Sequence, residues 1–216
     1  MRMGSDVPKQ FLEISGKPVL IHTISAFAGM VDKICIACHK DYIDFTKEMV
    51  RKHFNFSVEI IPGGKDRMES VEAIVNHFMA DMNEDDILLT HDAVRPFVSE
   101  KMIKESIENA RLGHFCTIAV NSTDTVCIAD GGMIESVPER SGVFNIQTPQ
   151  TFNLGDLAEM LGKCLDKDKY TDLCGLALSF GKQVKIIEGS PENIKITVPA
   201  DIKIAEGILE KSYENR

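Results

Sequence analysis

No stretch of the 216-residue sequence reaches the ~20 consecutive apolar residues that a membrane-spanning helix needs. The opening MRMGSDVPKQF lacks the apolar core of a secretory signal, so a cytoplasmic protein is the expectation. Positive charge is also short. Lys and Arg number 24 against 33 Asp and Glu, and the net charge of −9 argues against nonspecific binding to nucleic acid or anionic lipid. If the ligand is itself an anion, a few cations must be gathered locally against that background. No repeat or low-complexity tract occurs, and no GxGxxG is present to support a dinucleotide-binding oxidoreductase. A four-thiolate metal framework is missing as well. Of the six cysteines, only Cys35 and Cys38 make a CxxC, and no second CxxC completes it. Both lie in VDKICIACH, an apolar run that reads as a strand, where residues three apart face opposite ways; free, buried or half-buried thiols are expected.

What is present is an ordinary globular balance, 44% hydrophobic and 26% charged, at a length that suits one α/β domain spanning 1–216. Apolar, β-branched runs at 33–38, 57–63, 86–93, 116–121 and 182–189 read as strands. Helical spacing of apolar residues marks 19–27, 44–54, 70–82 and 100–112, with three more helix candidates beginning near 156, 171 and 199. This alternation predicts a mostly parallel, twisted sheet with helices on both faces. Ligands of such sheets collect beyond the carboxyl ends of the strands, which is where Gly63-Gly64 and the HDAVRP run at 91–96 fall. From about 121 to 147 the pattern changes to a hairpin with a DGG turn. It is either an arm that protrudes onto a partner or a flap folded on its own domain.

The residues at those strand ends suit phosphate chemistry. Asp92 stands where a carboxylate can hold Mg²⁺, a hard cation that takes oxygen ligands, with an Asp92–Arg95 pair that merely organises the turn as the lesser alternative. Gly63 and Gly64 permit close backbone approach to a ligand, and Ser70 can cap the helix that follows. His91 reads as a packed or hydrogen-bonded residue rather than a zinc ligand. Near the start, Arg2 and Lys9 flank a loop containing Gly4 and Pro8, either as ligand contacts or as solvated charges, whereas Lys17 in SGKP reads as a surface turn residue.

Five signatures follow one another in order: RMGSDVPKQF (2–11), PGGKDRMESV (62–71), THDAVRPFV (90–98), IQTPQTF (146–152) and GSPENIKIT (189–197). Together they resemble the family of 2-C-methyl-D-erythritol 4-phosphate cytidylyltransferase and its relative, D-ribitol-5-phosphate cytidylyltransferase, from Arg2 to about Leu209. The resemblance implies a Rossmann-like nucleotidyltransferase fold and a reaction in which a polyol phosphate attacks the α-phosphorus of CTP, giving a CDP-polyol and pyrophosphate with Mg²⁺ as cofactor. By resemblance, Arg2, Lys9 and Lys195 are catalytic, and Gly63, Gly64, Arg67, Ser70, Ala93 and Arg95 hold CTP. Thr125, Arg140, Thr148, Thr171 and Lys195 would meet the acceptor phosphate, with Asp92 on the metal. The family's arm residues reach a partner subunit's site, so Thr125 and Arg140 would act in trans across a homodimer.

The family normally carries a strand and a glycine-rich loop just ahead of the RMG, and their absence upstream of Met1 is an expectation with a cost in stability and CTP binding. It also keeps open a second class of function, a catalytically impaired nucleotide-binding protein. HDAV, VPER and TDLC lean towards ribitol 5-phosphate as the acceptor, with the methylerythritol phosphate as the alternative.

Overall fold

The computed structural model describes residues 7–214. In chain order, a small hairpin of β1 (Glu13–Ile14) and β2 (Lys17–Pro18) leads into α1 (Val19–Phe27). Then come β3 (Cys35–Cys38), α2 (Ile43–His53), β4 (Glu59–Pro62), α3 (Arg67–Phe78), β5 (Ile87–Thr90), α4 (Glu100–Arg111) and β6 (Phe115–Asn121). A second hairpin, β7 (Ile128–Asp130) and β8 (Met133–Ser136), precedes β9 (Phe144–Asn153). The chain ends with α5 (Leu154–Lys163), α6 (Leu173–Ser179), β10 (Val184–Glu188) and α7 (Pro199–Glu214).

Four strands form one sheet in the order β10-β6-β9-β5. β10 runs parallel to β6, and β9 runs antiparallel to both of its neighbours, so β10, β6 and β5 share one direction. β3 and β4 form a separate parallel pair. Among the described residues β3 pairs with β4 alone and β5 with β9 alone, and a cavity of about 580 Å³ lies between their unpaired edges. One end of that cavity meets Arg67, Ser70, Asp92 and Ala93.

Helices cover both faces because each presents one apolar stripe. On one side α3, α5 and α6 bury Val75, Leu157 and Leu176 against Leu88, Phe115 and Phe152. On the other, Phe27, Met102 and Ile103 pack on Cys116, Ile118 and Ile187, while α1 meets α2 through Ile21, Ile24, Met49 and Val50. Ile103 and Ile118 are fully buried, each worth roughly 1.5–3 kcal/mol on area grounds. The two CxxC thiols do point apart. Cys35 packs towards α3 and α5, and burial pushes it up to about 12, whereas Cys38 contacts the Thr46 hydroxyl of α2 at 3.3 Å. All six cysteines are free.

Two sequence expectations shift. The helix placed at 70–82 begins at Arg67, because Asp66 caps it: Asp66 Oδ1 accepts from the Glu69 amide at 2.9 Å, and Glu69 Oε2 accepts from the Lys65 amide at 2.8 Å. Ser70 is therefore not the cap but sits in the first turn. IQTPQTF, legible only as a signature, is the middle of the longest strand, β9. The 121–147 arm does contain a hairpin, turned at Gly131 and Gly132 with φ of 53° and 83°, both in the region glycine tolerates. Lys17 is exposed beside the Ser15-Gly16 turn.

Candidate active site

At the carboxyl end of β5 the chain turns sharply, the Arg95 amide donating to the Asp92 carbonyl at 3.0 Å. The segment 189–197 is fastened to this turn by two links. The Ile196 amide donates to the Val94 carbonyl at 2.9 Å, and Arg95 Nη1 donates to the Asn193 carbonyl at 2.7 Å. These links carry Lys195 to Asp92. Oδ2 of Asp92 is 3.1 Å from Lys195 Nζ and 3.1 Å from Arg95 Nε, and Oδ1 is 3.9 Å from Arg67 Nε. Burial alone would raise the Asp92 carboxyl, but the charges of Lys195, Arg67 and Arg95 overcome it and hold the group below the ordinary carboxylate range. Three cations thus converge at one rim of an acidic chain.

The floor beneath Asp92 is a hydrogen-bonded chain. The Asp92 amide donates to Thr148 Oγ1 at 3.1 Å, and the Thr148 hydroxyl contacts His91 Nδ1 at 2.9 Å. His91 Nε2 contacts the Arg95 carbonyl at 3.0 Å, which can only accept, so the proton sits on Nε2 and Nδ1 accepts from Thr148. Burial, ahead of every other influence, pushes His91 down to about 4, and the ring is neutral. His91 is accordingly a hydrogen-bonded support, as read from the sequence. Thr148 is 4% exposed with its hydroxyl engaged in this chain, which places it under the site instead of on a ligand.

Across the rim lies the loop before α3. The Gly64 amide donates to Ser70 Oγ at 3.1 Å, and the Ser70 hydroxyl donates to the Asp66 carbonyl at 2.7 Å. A Cβ on Gly64 would come within 2.9 Å of the Glu69 carbonyl carbon, so the loop can close onto α3 only with glycine there. Arg67 Nη1 is buried without a hydrogen-bond partner among the described residues, a donor set where a ligand oxygen could take it.

The remaining candidates lie outside this cluster of cations. Arg140 Nη2 donates to Thr125 Oγ1 at 2.9 Å, so these two are brought together, but on the exposed arm. Thr171 is exposed in the turn before α6. Lys9 occupies a short 3-10 turn, Lys9–Phe11, and its charge acts on Asp201 at the start of α7. Arg2 lies outside the described residues.

Reading the sequence missed Gln147, Gln150 and Asn193, buried polar residues that stitch the site together; the IQTPQTF and ENIKIT signatures contain them but gave them no task. A divalent ion fits Asp92. Mg²⁺ is ordinarily held by one or two carboxylates plus substrate phosphates, and Oδ1 is the less engaged of the two oxygens. Among the described residues no group of three or more His, Cys, Asp or Glu gathers to form an all-protein site.

Residues 1–211 match the family described as 2-C-methyl-D-erythritol 4-phosphate cytidylyltransferase. The chain resembles the crystal structure of 4-diphosphocytidyl-2C-methyl-D-erythritol synthase from Anaerococcus prevotii, at 31% identity and a TM-score of 0.85, covering 97% of this chain and 93% of that one. It also resembles the 2-C-methyl-D-erythritol 4-phosphate cytidylyltransferase of Francisella tularensis, at 28% identity and a TM-score of 0.79. With that protein the match covers 94% of each chain. The Thermus thermophilus enzyme of the same name matches at 25% identity and a TM-score of 0.76, again over 94% of each chain.

Proposed function

The chain belongs to the 2-C-methyl-D-erythritol 4-phosphate cytidylyltransferase family, matched over residues 1–211, and from that premise we propose that it joins CMP from CTP to 2-C-methyl-D-erythritol 4-phosphate. Membership makes it a cytidylyltransferase and hence a nucleotidyltransferase. The acceptor is the finer step. HDAV, VPER and TDLC lean towards ribitol phosphate, but the solved relatives carry the methylerythritol name, and that acceptor is the better reading.

The single observation that carries the mechanism is the Asp92 carboxylate with Lys195, Arg95 and Arg67 around it at the end of β5. An acceptor phosphate oxygen attacks the α-phosphorus of CTP, a P–O bond forms, and the bond to the β-phosphate breaks as pyrophosphate leaves with its electron pair. The nucleophile is already anionic, so the task is to hold two repelling anions in line and to offset charge growing on the phosphorus oxygens. Lys195 serves as a point charge at the junction of the two phosphates, with Lys9 and Arg2 on the triphosphate. The Gly63-Gly64 backbone, Arg67, Ser70 and Ala93 receive the nucleotide, and Arg95 fixes the Asp92 turn. Asp92 would hold Mg²⁺, which supplies charge neutralisation on the phosphates when bound.

Thr125, Arg140 and Thr171 receive the acceptor phosphate. Arg140 and Thr125 do so from the arm of a second copy, because the arm exposes Ile128, Met133, Ile134 and Val137, an apolar surface suited to pairing. The whole chain acts as one cytidylyltransferase domain in the cytoplasm; no helix among the described residues is long and apolar enough to cross a membrane.

The deciding experiment is pyrophosphate release from CTP with each polyol phosphate in turn. Preference for the methylerythritol phosphate is expected. Preference for ribitol phosphate returns the acceptor to the other branch, and CTP binding without release from either points to an impaired nucleotide-binding protein.

A further inference from the structure

Gln150 sits in the middle of β9, paired in the ladder with Thr90 on one side and Thr117 on the other, and it is fully buried. A primary amide at such a position has two donors and two acceptor lone pairs to satisfy. Gln150 satisfies all four. Its oxygen accepts from Arg67 Nη2 at 2.8 Å and from the Leu173 amide at 3.4 Å. Its nitrogen donates to Asp172 Oδ2 at 3.1 Å and to Cys174 Sγ at 2.9 Å.

The orientation of the amide is dictated by chemistry. Arg67 can only donate, so the atom facing it is the oxygen, and the NH₂ is left to face Asp172 Oδ2, which accepts. Asp172 is committed on its other oxygen, where Oδ1 accepts from the Gly175 amide at 2.9 Å and caps α6. Thr171 is the residue immediately before it. One side chain, rooted in the central antiparallel strand, therefore holds the guanidinium on the nucleotide side and the turn on the acceptor side.

From this we infer that Gln150 is a positioning residue that sets the acceptor-side turn at Thr171 and Asp172 in register with Arg67, so that the two substrates meet at a fixed separation. The inference rests on the reading of Arg67 and Thr171 as nucleotide and acceptor contacts. Gln150 touches neither substrate and acts through the two groups it grips. A displacement of about 1 Å between reacting groups is enough to cost on the order of 10²-fold in rate, which is why a rigid spacer matters here.

The polarity of the Gln150–Asp172 contact provides the test. Gln150→Glu sets a carboxylate against a carboxylate, and Asp172→Asn sets an amide NH₂ against an amide NH₂. The double variant restores a donor facing an acceptor, and the amide that replaces the Asp172 carboxylate keeps an oxygen to cap α6. The experiment follows pyrophosphate release by the wild type, both single variants and the double variant over a range of CTP and polyol phosphate concentrations.

Each single change should lower kcat/KM for the acceptor about tenfold, the worth of one charge-assisted hydrogen bond, with kcat falling as the spacing slips. The double variant should return to within about threefold of the wild type. The KM for CTP should stay raised in both chains that carry the Gln150→Glu change, because the new carboxylate competes with the triphosphate for Arg67. A glutamine of merely structural value would instead lower kcat and thermal midpoint in all three variants together, with no recovery, and that pattern overturns the inference. Where a single variant fails to fold, the double variant decides alone, since a kcat/KM for the acceptor about tenfold or more below wild type rejects the register role. Turnover of ribitol phosphate by the wild type would move the acceptor assignment only, and the same four chains are then compared on that substrate.

Discussion

Lys195 Nζ stands 3.1 Å from Oδ2 of Asp92, although the two lie far apart in the sequence, because the Ile196 amide is bonded to the Val94 carbonyl. With the lysine side chain 40% exposed but Asp92 only 13%, the pair is partly buried, and its contribution to stability is modest because Arg95 and Arg67 remain beside Asp92. Its value is as a cation fixed in place before the phosphates arrive. Lys195→Ala should lower turnover by on the order of 10²–10³, as for the loss of one preorganised electrostatic stabiliser, with the thermal midpoint nearly unchanged. Steady-state kinetics beside a melting curve check this; a turnover within a few-fold of the wild type removes Lys195 from the chemistry.

Gly64 tests the loop before α3. A Cβ there would press on the backbone of Glu69, which belongs to the helix and cannot swing aside. Gly64→Ala should weaken CTP binding at least about tenfold and cost about 1–3 kcal/mol of stability, since the loop must lift off the helix that orders it. Calorimetric titration with CTP and chemical denaturation measure the two effects. An alanine that binds CTP normally would mean that the loop has room which its geometry denies.

How far this site could be read from residues alone follows from where its polarity lies. Asp92, Gly63-Gly64 and Lys195 stand at strand ends or in loops, where a charged or glycine residue signals itself against an apolar run. β9 gave no such signal. Its Gln147, Thr148, Gln150 and Thr151 are all buried, so the strand shows neither the alternation of a half-exposed strand nor the apolar run of a central one. The start of α3 was displaced for a related reason. Asp66 and Ser70 are both competent caps by residue type, and only the folded loop shows that Asp66 takes the free Glu69 amide. The cavity beside β5 could not be seen at all, because which strands pair is a property of topology.

The buried His91 makes stability depend on pH in a predictable direction. Its folded value is pushed down to about 4 from 6.5, chiefly by burial. Below 6.5 the unfolded chain takes up a proton that the folded chain refuses until about pH 4, so stability falls as pH drops through that window and then levels. The loss is up to about 3 kcal/mol from this residue. His91→Gln, which keeps a donor for the Arg95 carbonyl but does not titrate, should flatten the slope between pH 6.5 and 4 in denaturation experiments. An unchanged slope assigns the acid sensitivity elsewhere.

The arm yields a prediction about assembly. Ile134 is 66% exposed and Met133 75% exposed at the tip of a two-stranded hairpin, an arrangement with little stability of its own. If a second copy covers them, Ile134→Glu should shift the chain from dimer to monomer in sedimentation while leaving the far-ultraviolet spectrum intact. Activity should fall with dimer content, because Arg140 and Thr125 then reach no neighbouring site. A fully active monomer would confine both residues to their own subunit.

The cavity between β3 and β5 sets the last test. Among the described residues both flanking edges carry unpaired backbone donors and acceptors that face a space walled by apolar side chains such as Ile36, Leu89 and Val71, where a group left unpaired costs about 1–3 kcal/mol. An added parallel strand would satisfy both edges at once and join the two sheets. Extending the chain ahead of Met1 by a designed apolar strand of about five to seven residues, the usual strand length, and a glycine-rich linker should therefore stabilise the fold. The thermal midpoint should rise by on the order of 10 °C, as a gain of several kcal/mol in a chain of this size implies. CTP affinity should rise in step, because the cavity opens beside Arg67, Ser70 and Asp92 and the linker amides would lie at that end. A polar scrambled extension of the same length controls for the added residues. Equal midpoints for the apolar and scrambled versions would show that the two strand edges do not accept a partner.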